Sequence, residues 1–205
     1  MKLYDSRRAP NPRRVRWLMA EKTIVDIEVV DVDLFAGEHR QPEYLERAGL
    51  PHVPSLTLDD GTTFTESLAI CRYLEAVYPE PNLFGVDAWE TALIEMWTRR
   101  AEMMAATPLM MSVRHGHPAL AALETQIPEI AVHNRHVAER ALEVFDQRLG
   151  QSEWIGADRV TMADGVLYIG IDFARMVKFK VPDKLTHVTR WLAAMRARPS
   201  ASAGT

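Results

Sequence analysis

A proline directly ahead of a short apolar run, in Val53-Pro54-Ser55-Leu56, is followed one hairpin later by Glu66-Ser67-Leu68-Ala69-Ile70; together they constrain this chain more than any other feature. Proline lacks the N–H that a strand ladder needs, so it marks an edge or a beginning, and a cis peptide suits a tight bend there. Strand pairing is expected to stop at Val53. Its N–H and C=O are then free to pair with an extended peptide, the strand-addition mode of recognition. Glu66 and Ser67 are placed to end the next strand and open a helix, where side-chain oxygens and backbone N–H groups converge. Such a site offers anion capture, ammonium capture and main-chain pairing together, and suits a small, extended, charged peptide.

The 205 residues, 47% of them hydrophobic, suffice for a sizeable core in one large domain or two small ones. A formal charge of −4 supplies no basic field for a nucleic-acid backbone, which excludes nucleic acid as the expected partner. Met1 runs into Lys2-Leu3-Tyr4 without a charged and then apolar leader, and no run approaches a membrane span. A cytoplasmic protein without membrane contact is expected. Cys71 is the only cysteine, so an internal disulfide, a Cys-x-x-Cys pair and a cysteine zinc site are all impossible within one chain, and no metal is expected.

Lys2 to Asp5 reads as a short strand, and Asn11-Pro12 introduces a helix with Asn11 as N-cap, Pro12 at its first position, and Val15, Leu18, Met19 and Lys22 on one face. Ile27 to Asp33 is β-branched and predicts a second strand; Pro42 to Arg47 predicts a short or irregular helix. Ser55 to Leu58 and Thr62 to Thr65 flank Asp59-Asp60-Gly61, a strong hairpin signal. Leu68, Cys71, Leu74 and Ala76-Val77 supply the next helix. The expected order is βαβαββα over residues 1–78.

Pro79 to Gly85 is rich in turn formers, and a linker is expected over 79–86. Beyond it, over 87–205, only helices are expected. Ala88 to about Val113 is amphipathic, with Leu93, Met96, Trp97, Met103 and Met104, until His115-Gly116-His117-Pro118 interrupts it. Glu129 to Leu149 resumes the pattern. Thr161-Met162-Ala163-Asp164 has the capping-box form ahead of an apolar run, the expected buried central helix. Pro182 is expected to start a last helix with Leu185, Val188, Trp191, Leu192 and Met195, and Pro199 to Thr205 to fray.

A thioredoxin-like βαβαββα unit with these Val-Pro and Glu-Ser pairs, joined through a proline-rich linker to a helical domain, resembles the cytosolic glutathione transferases. The resemblance spans nearly the whole chain. It is carried by Asn11-Pro12-Arg13-Arg14-Val15-Arg16, Gly37-Glu38-His39-Arg40, His52-Val53-Pro54, Glu66 to Leu74, and Thr161 to Asp164. Within the family it is most similar to a bacterial and fungal branch whose first loop reads Ala-Pro-Asn-Pro-Arg-Arg-Val-Arg and whose helical domain carries Arg-His-x-x-Pro, here Arg114 to Pro118.

The resemblance implies glutathione as co-substrate. Glu66 and Ser67 would hold its γ-glutamyl carboxylate and amine, Val53 would pair with the cysteinyl backbone beside the Pro54 bend, and His39, Arg40 and His52 would reach the glycyl carboxylate. Each also has an ordinary structural role: Ser67 as a cap, Pro54 as a loop proline, the histidines and Arg40 as solvated loop residues. Activation of a thiol whose free pKa is about 8.5 or higher requires donors or positive potential near sulfur. The family's usual catalytic serine position falls on Ala9, which offers no donor, and Tyr4 lies inside the first strand. Three substitutes remain: Ser6, Asn11 with the first amides of its helix, and His115 or Ser112 from the helical domain. A neutral His115 is expected to take the thiol proton directly or through water.

Cys71 is expected in the core rather than at the chemistry. Met103, Met104, Met110 and Met111 fill core by default and otherwise line a plastic apolar site, and Arg72, Arg99 and Arg100 lie on helices through which the family dimerises. The expected activity is conjugation of the glutathione thiolate to hydrophobic electrophiles, in detoxification, by a homodimer. The alternatives are a noncatalytic glutathione-binding protein on this fold, which Ala9 keeps open, and a glutathione-dependent reductase or peroxidase.

Overall fold

Leu3 and Leu56, both fully buried, face each other across the centre of a four-stranded sheet. In the computed structural model, which describes residues 1–203, the chain divides into two units, Met1–Pro81 with Ser202 and Ala203, and Asn82–Ala201. The first unit runs β1 (Lys2–Asp5), α1 (Pro10–Glu21), β2 (Glu28–Asp31), a 3₁₀ turn (Glu38–Arg40), α2 (Pro42–Ala48), β3 (Ser55–Thr57), β4 (Thr63–Thr65) and α3 (Ser67–Val77). The sheet order is β2-β1-β3-β4, with β1 parallel to β2 and antiparallel to β3, and β3 antiparallel to β4. Helices α1 and α3 pack together, burying Val15, Leu18, Ile70, Cys71 and Leu74. This is the thioredoxin-like arrangement expected from the sequence.

Two boundaries moved. Helix α1 is capped by Ala9, in extended conformation, with Pro10 at its first position; Asn11 is therefore its second residue and not its cap. Both Pro10 and Pro12 tolerate a first turn because neither needs the N–H it lacks, and Pro10, met first, drives the preceding residue out of helical space. Strand β2 is shorter than Ile27 to Asp33 because β1 offers it only four partners, and Val32 N–H closes the ladder on the Asp5 carbonyl at 2.6 Å.

Every regular element of Asn82–Ala201 is helical. Helix α4 (Ala88–Arg100) continues through a π-helical stretch (Ala101–Ala106) into α5 (Thr107–Gly116). The helix stops at Gly116, with His117 as its C-cap, inside the interruption expected at His115 to Pro118; the π-helical stretch within it was not anticipated. Pro108 has no N–H to donate back along the helix, and the widened turns ahead of it absorb that loss. Then follow α6 (Pro128–Leu149), α7 (Met162–Phe173) and α8 (Thr186–Arg196). Residues Met162 to Ile171 of α7 are all buried, and its capping box forms as expected. The last helix starts four residues after Pro182 because Asp146 of α6 supplies its cap: Oδ1 accepts the N–H groups of His187 and Val188, each at 2.9 Å. Pro199–Ser202, expected to fray, forms a 3₁₀ turn with Ser200 buried; Gly204 and Thr205 lie outside the described residues.

Candidate active site

Pro54 is buried and its peptide bond with Val53 is cis. The β1–β3 ladder begins at Ser55, opposite Tyr4, which leaves Val53 just outside it. Tyr44 of α2 holds this bend. Its hydroxyl donates to the His52 carbonyl at 2.5 Å and lies 3.3 Å from Ser55 Oγ, and its ring meets Tyr4 edge-on. Burial pushes the Tyr44 phenol up from its ordinary pKa, so it remains a neutral donor at physiological pH. Sequence reasoning missed Tyr44; its one signal is an aromatic on the inner face of a short helix.

Glu66 stands between β4 and α3 with φ 68° and ψ 114°. A residue with a Cβ adopts that region only when its surroundings over-determine it, at about 1–3 kcal/mol, and such outliers gather at ligand sites. Its carbonyl accepts the first intrahelical bond of α3, from Ile70 N–H at 3.0 Å, while its side chain is exposed. Ser67 is buried, and its Oγ accepts from Arg14 Nη1 at 3.3 Å. Arg14, 3% exposed, therefore brings a guanidinium to the N-terminus of α3, where the helix dipole already favours negative charge. Arg14 was not picked out from the sequence, although an arginine four residues before Leu18, on the apolar stripe of α1, is the kind of buried cation that demands an explanation. Cys71, one turn further along α3, is fully buried, and burial pushes its thiol up to about 12. It is inert at neutral pH.

His39 and Arg40 form the 3₁₀ turn after β2, opened by Gly37 at φ 77°. His39 is buried with its Nδ1 unbonded. Burial first, then the nearby charges of Arg40 and His52, hold its pKa below the ordinary value. The same loop pair thus collects His39, Arg40 and His52, a setting favourable to a carboxylate.

The first loop is sparer than the sequence implied. The Ala9 N–H is consumed by the Ser6 carbonyl at 2.9 Å, and the Arg13 N–H turns back to the Ala9 carbonyl at 3.3 Å. Pro10 and Pro12 carry no N–H. Of the amides that open α1, only that of Asn11 is left for a ligand. The Asn11 side-chain oxygen is buried and makes no hydrogen bond. Asn11 accordingly places a backbone donor and an unbonded side-chain oxygen at the opening of α1, whereas Ser6 serves the turn through its carbonyl.

In the second unit Ser112 and His115 are buried three residues apart on α5. His115 Nδ1 accepts the Ile127 N–H at 3.1 Å, which fixes the neutral imidazole with its proton on Nε2. With Nδ1 accepting, Nε2–H is the ring's donor. Gln126 Nε2 donates to the carbonyls of Arg114 and His117, both at 2.8 Å, strapping the following loop to the end of α5. Among the described residues no cluster of His, Cys, Asp or Glu could hold a metal ion. No helix there is long and apolar enough to cross a membrane.

Residues 3–82 match the family model for the glutathione S-transferase N-terminal domain, and residues 100–199 that for the glutathione S-transferase C-terminal domain. Glutathione S-transferase 2 of Saccharomyces cerevisiae is 33% identical over 204 residues, covering 98% of this chain and 87% of the relative. Among solved structures, Gtt2 from Saccharomyces cerevisiae has a TM-score of 0.92 at 33% identity, each chain covered in full. A glutathione S-transferase domain-containing protein from Marinobacter aquaeolei VT8 has a TM-score of 0.91 at 35% identity, covering 98% of this chain and 100% of the other. The chain belongs to the cytosolic glutathione S-transferase family, a family of enzymes that take glutathione as substrate.

Proposed function

We propose that this transferase activates glutathione at the N-terminus of α1, through Asn11, and conjugates the thiolate to hydrophobic electrophiles. One observation carries the assignment: two prolines and two internal hydrogen bonds take the other donors from that helix start, leaving the Asn11 backbone N–H, with the Asn11 side-chain amide, whose oxygen makes no hydrogen bond, as the neighbouring group. Donors aimed at a developing anion are the commonest large contribution an enzyme makes, and they need no hydroxyl at Ala9. Glu66, Ser67 and Arg14 receive the γ-glutamyl end, Val53 beside Pro54 pairs with the cysteinyl backbone, and His39, Arg40 and His52 receive the glycyl carboxylate. His115, with Ser112 on the same helix face, is a second donor through Nε2–H. Met103, Met104, Met110 and Met111 give the helical unit an adaptable apolar lining for the electrophile. The homodimer, the cytoplasmic location and the detoxifying role are part of the same proposal, by family.

The test is Asn11→Ala assayed with a chlorodinitrobenzene. The expected result is near-native glutathione affinity with kcat lowered about 10²-fold, the scale of losing one oxyanion donor. His115→Ala, expected to lower kcat with little change in affinity, measures the second donor. Unchanged kcat in Asn11→Ala refutes activation by the Asn11 side chain, and binding without turnover in the native protein favours the noncatalytic alternative.

A further inference from the structure

The loop Ser6 to Ala9 joins β1 to α1 and delivers Asn11. Its two central residues, Arg7 and Arg8, are exposed. A turn closed by the single bond from Ala9 N–H to the Ser6 carbonyl would leave that delivery loose. Instead, both backbone groups of Arg7 are held by side chains from the elements on either side. The Arg7 N–H donates a long bond, 3.4 Å, to Asp31 Oδ1 at the end of β2, and the Arg7 carbonyl accepts from Arg16 Nη2 at 2.7 Å. Arg16 sits two turns into α1, and its Nε lies 3.2 Å from Asp5 Oδ2 at the end of β1. The side chains are 12% and 4% exposed, so this is a largely buried pair.

We propose that Arg16 is a positioning residue for the reaction: anchored on Asp5, it pins the Arg7 carbonyl and so sets the loop that presents Asn11 to the thiol, without contacting glutathione itself. This rests on activation at α1 as proposed above. Three physical points support it. A planar guanidinium holds an ion pair with the Asp5 carboxylate through its Nε edge, without a hydrogen bond there, while Nη2 donates to the Arg7 carbonyl, an arrangement in two directions that a lysine ammonium on a flexible stem does not reproduce. In a trans peptide the C=O and N–H point opposite ways, so pinning the Arg7 carbonyl also sets the direction of the Arg8 N–H and the chain's path into Pro10. The pair is also costly as mere ballast: burial pushes the Asp5 carboxyl up and the Arg16 guanidinium down from their ordinary pKa values, and each partner's charge offsets only part of the other's shift. The other charges facing them are Asp31, Arg7 and Arg13.

The experiment compares Arg16→Met and Arg16→Lys with the native protein in four readouts: glutathione affinity by calorimetry, kcat, the pH profile of kcat/KM, and amide exchange at Arg7, Arg8 and Ala9. Arg16→Met is expected to keep Kd within about twofold and to lose about 10-fold in kcat, because small misplacement of an activating group is felt in the chemical step. Its acidic limb in kcat/KM should move to higher pH, and the three amides should exchange faster. Arg16→Lys, which keeps the charge but loses the fork, is expected to behave like Arg16→Met. Unchanged kcat with an unchanged pH profile overturns the proposal. So does full recovery in Arg16→Lys, or a parallel fall of affinity, kcat and melting temperature. If the native protein binds glutathione but turns nothing over, the enzyme assignment fails by itself; the clamp is then judged on exchange alone, supported by faster exchange in Arg16→Met and overturned by none.

Discussion

Glu66 shows at one residue how local strain and binding are traded. Its φ of 68° is a conformation that glycine adopts freely and glutamate does not. Glu66→Gly is therefore expected to raise stability by about 1 kcal/mol while weakening glutathione binding, since it removes both the strain and the exposed carboxylate proposed to face the peptide's amine. Parallel denaturant melts and calorimetry check this; a variant that is less stable, or that binds as well as the native protein, contradicts it. Asn11 is the complementary case, where the proposed role lies in what the neighbouring prolines cannot donate. Cys71, by contrast, looks chemical in the sequence and is silent in the fold, buried with its thiol pushed up to about 12.

At the scale of elements, the helical unit is pinned at its helix starts. Glu90, in the first turn of α4, takes a two-pronged bond from Arg159, at 2.7 and 2.8 Å, and accepts the Val86 N–H at 2.9 Å. The Arg159 bonds hold the Glu90 carboxyl down at about 2. Its folded pKa lies below the unfolded one, so its stabilisation is present above about pH 4.5 and is lost as pH falls through about 2. Part of this pair is solvent-exposed, so about 1–2 kcal/mol is expected. Glu90→Gln should remove that share of the acid-side pH dependence of stability while leaving the slope above pH 5 as it is; an unaltered profile contradicts the assignment. Asp164 does the same for α7 from a buried position, accepting from Ile155 N–H, Thr161 N–H, Thr161 Oγ1 and Trp191 Nε1 at 2.8 to 3.0 Å. Asp164→Ala strands several buried donors and is expected to cost about 3 kcal/mol or more. Chemical denaturation measures it, and a loss below about 1 kcal/mol would show that the network relaxes around water.

The same elements show what a sequence reveals. The Asp-Gly hairpin, the Val-Pro bend, the Glu-Ser helix start and the Thr161 to Asp164 box are local chemistry, and each appears where its residues demand it. Helix α1 began one proline early because two prolines satisfied the same rule and the sequence holds no tie-breaker. Helix α8 began late because its cap, Asp146, comes from another helix forty residues away in the chain. Arg14 and Tyr44 were passed over for the same reason: their meaning lies in tertiary partners, Ser67 Oγ and the His52 carbonyl. The loss of amides at α1 was legible in Pro10 and Pro12, but only once the helix start was known.

For the whole molecule, a net charge of −4 gives no general pull on an anionic tripeptide, so recognition is proposed to fall to local groups: Arg14 at α3, the His39, Arg40 and His52 loops, and the opening of α1. The central claim is that the last of these makes a thiolate. Ultraviolet absorbance of the bound thiolate, followed against pH in the native protein and in Asn11→Ala, tests it most directly. The native complex is expected to ionise at least one pH unit below free glutathione, and Asn11→Ala to return most of the way to the free value. Native and variant complexes that both titrate like free glutathione would contradict it.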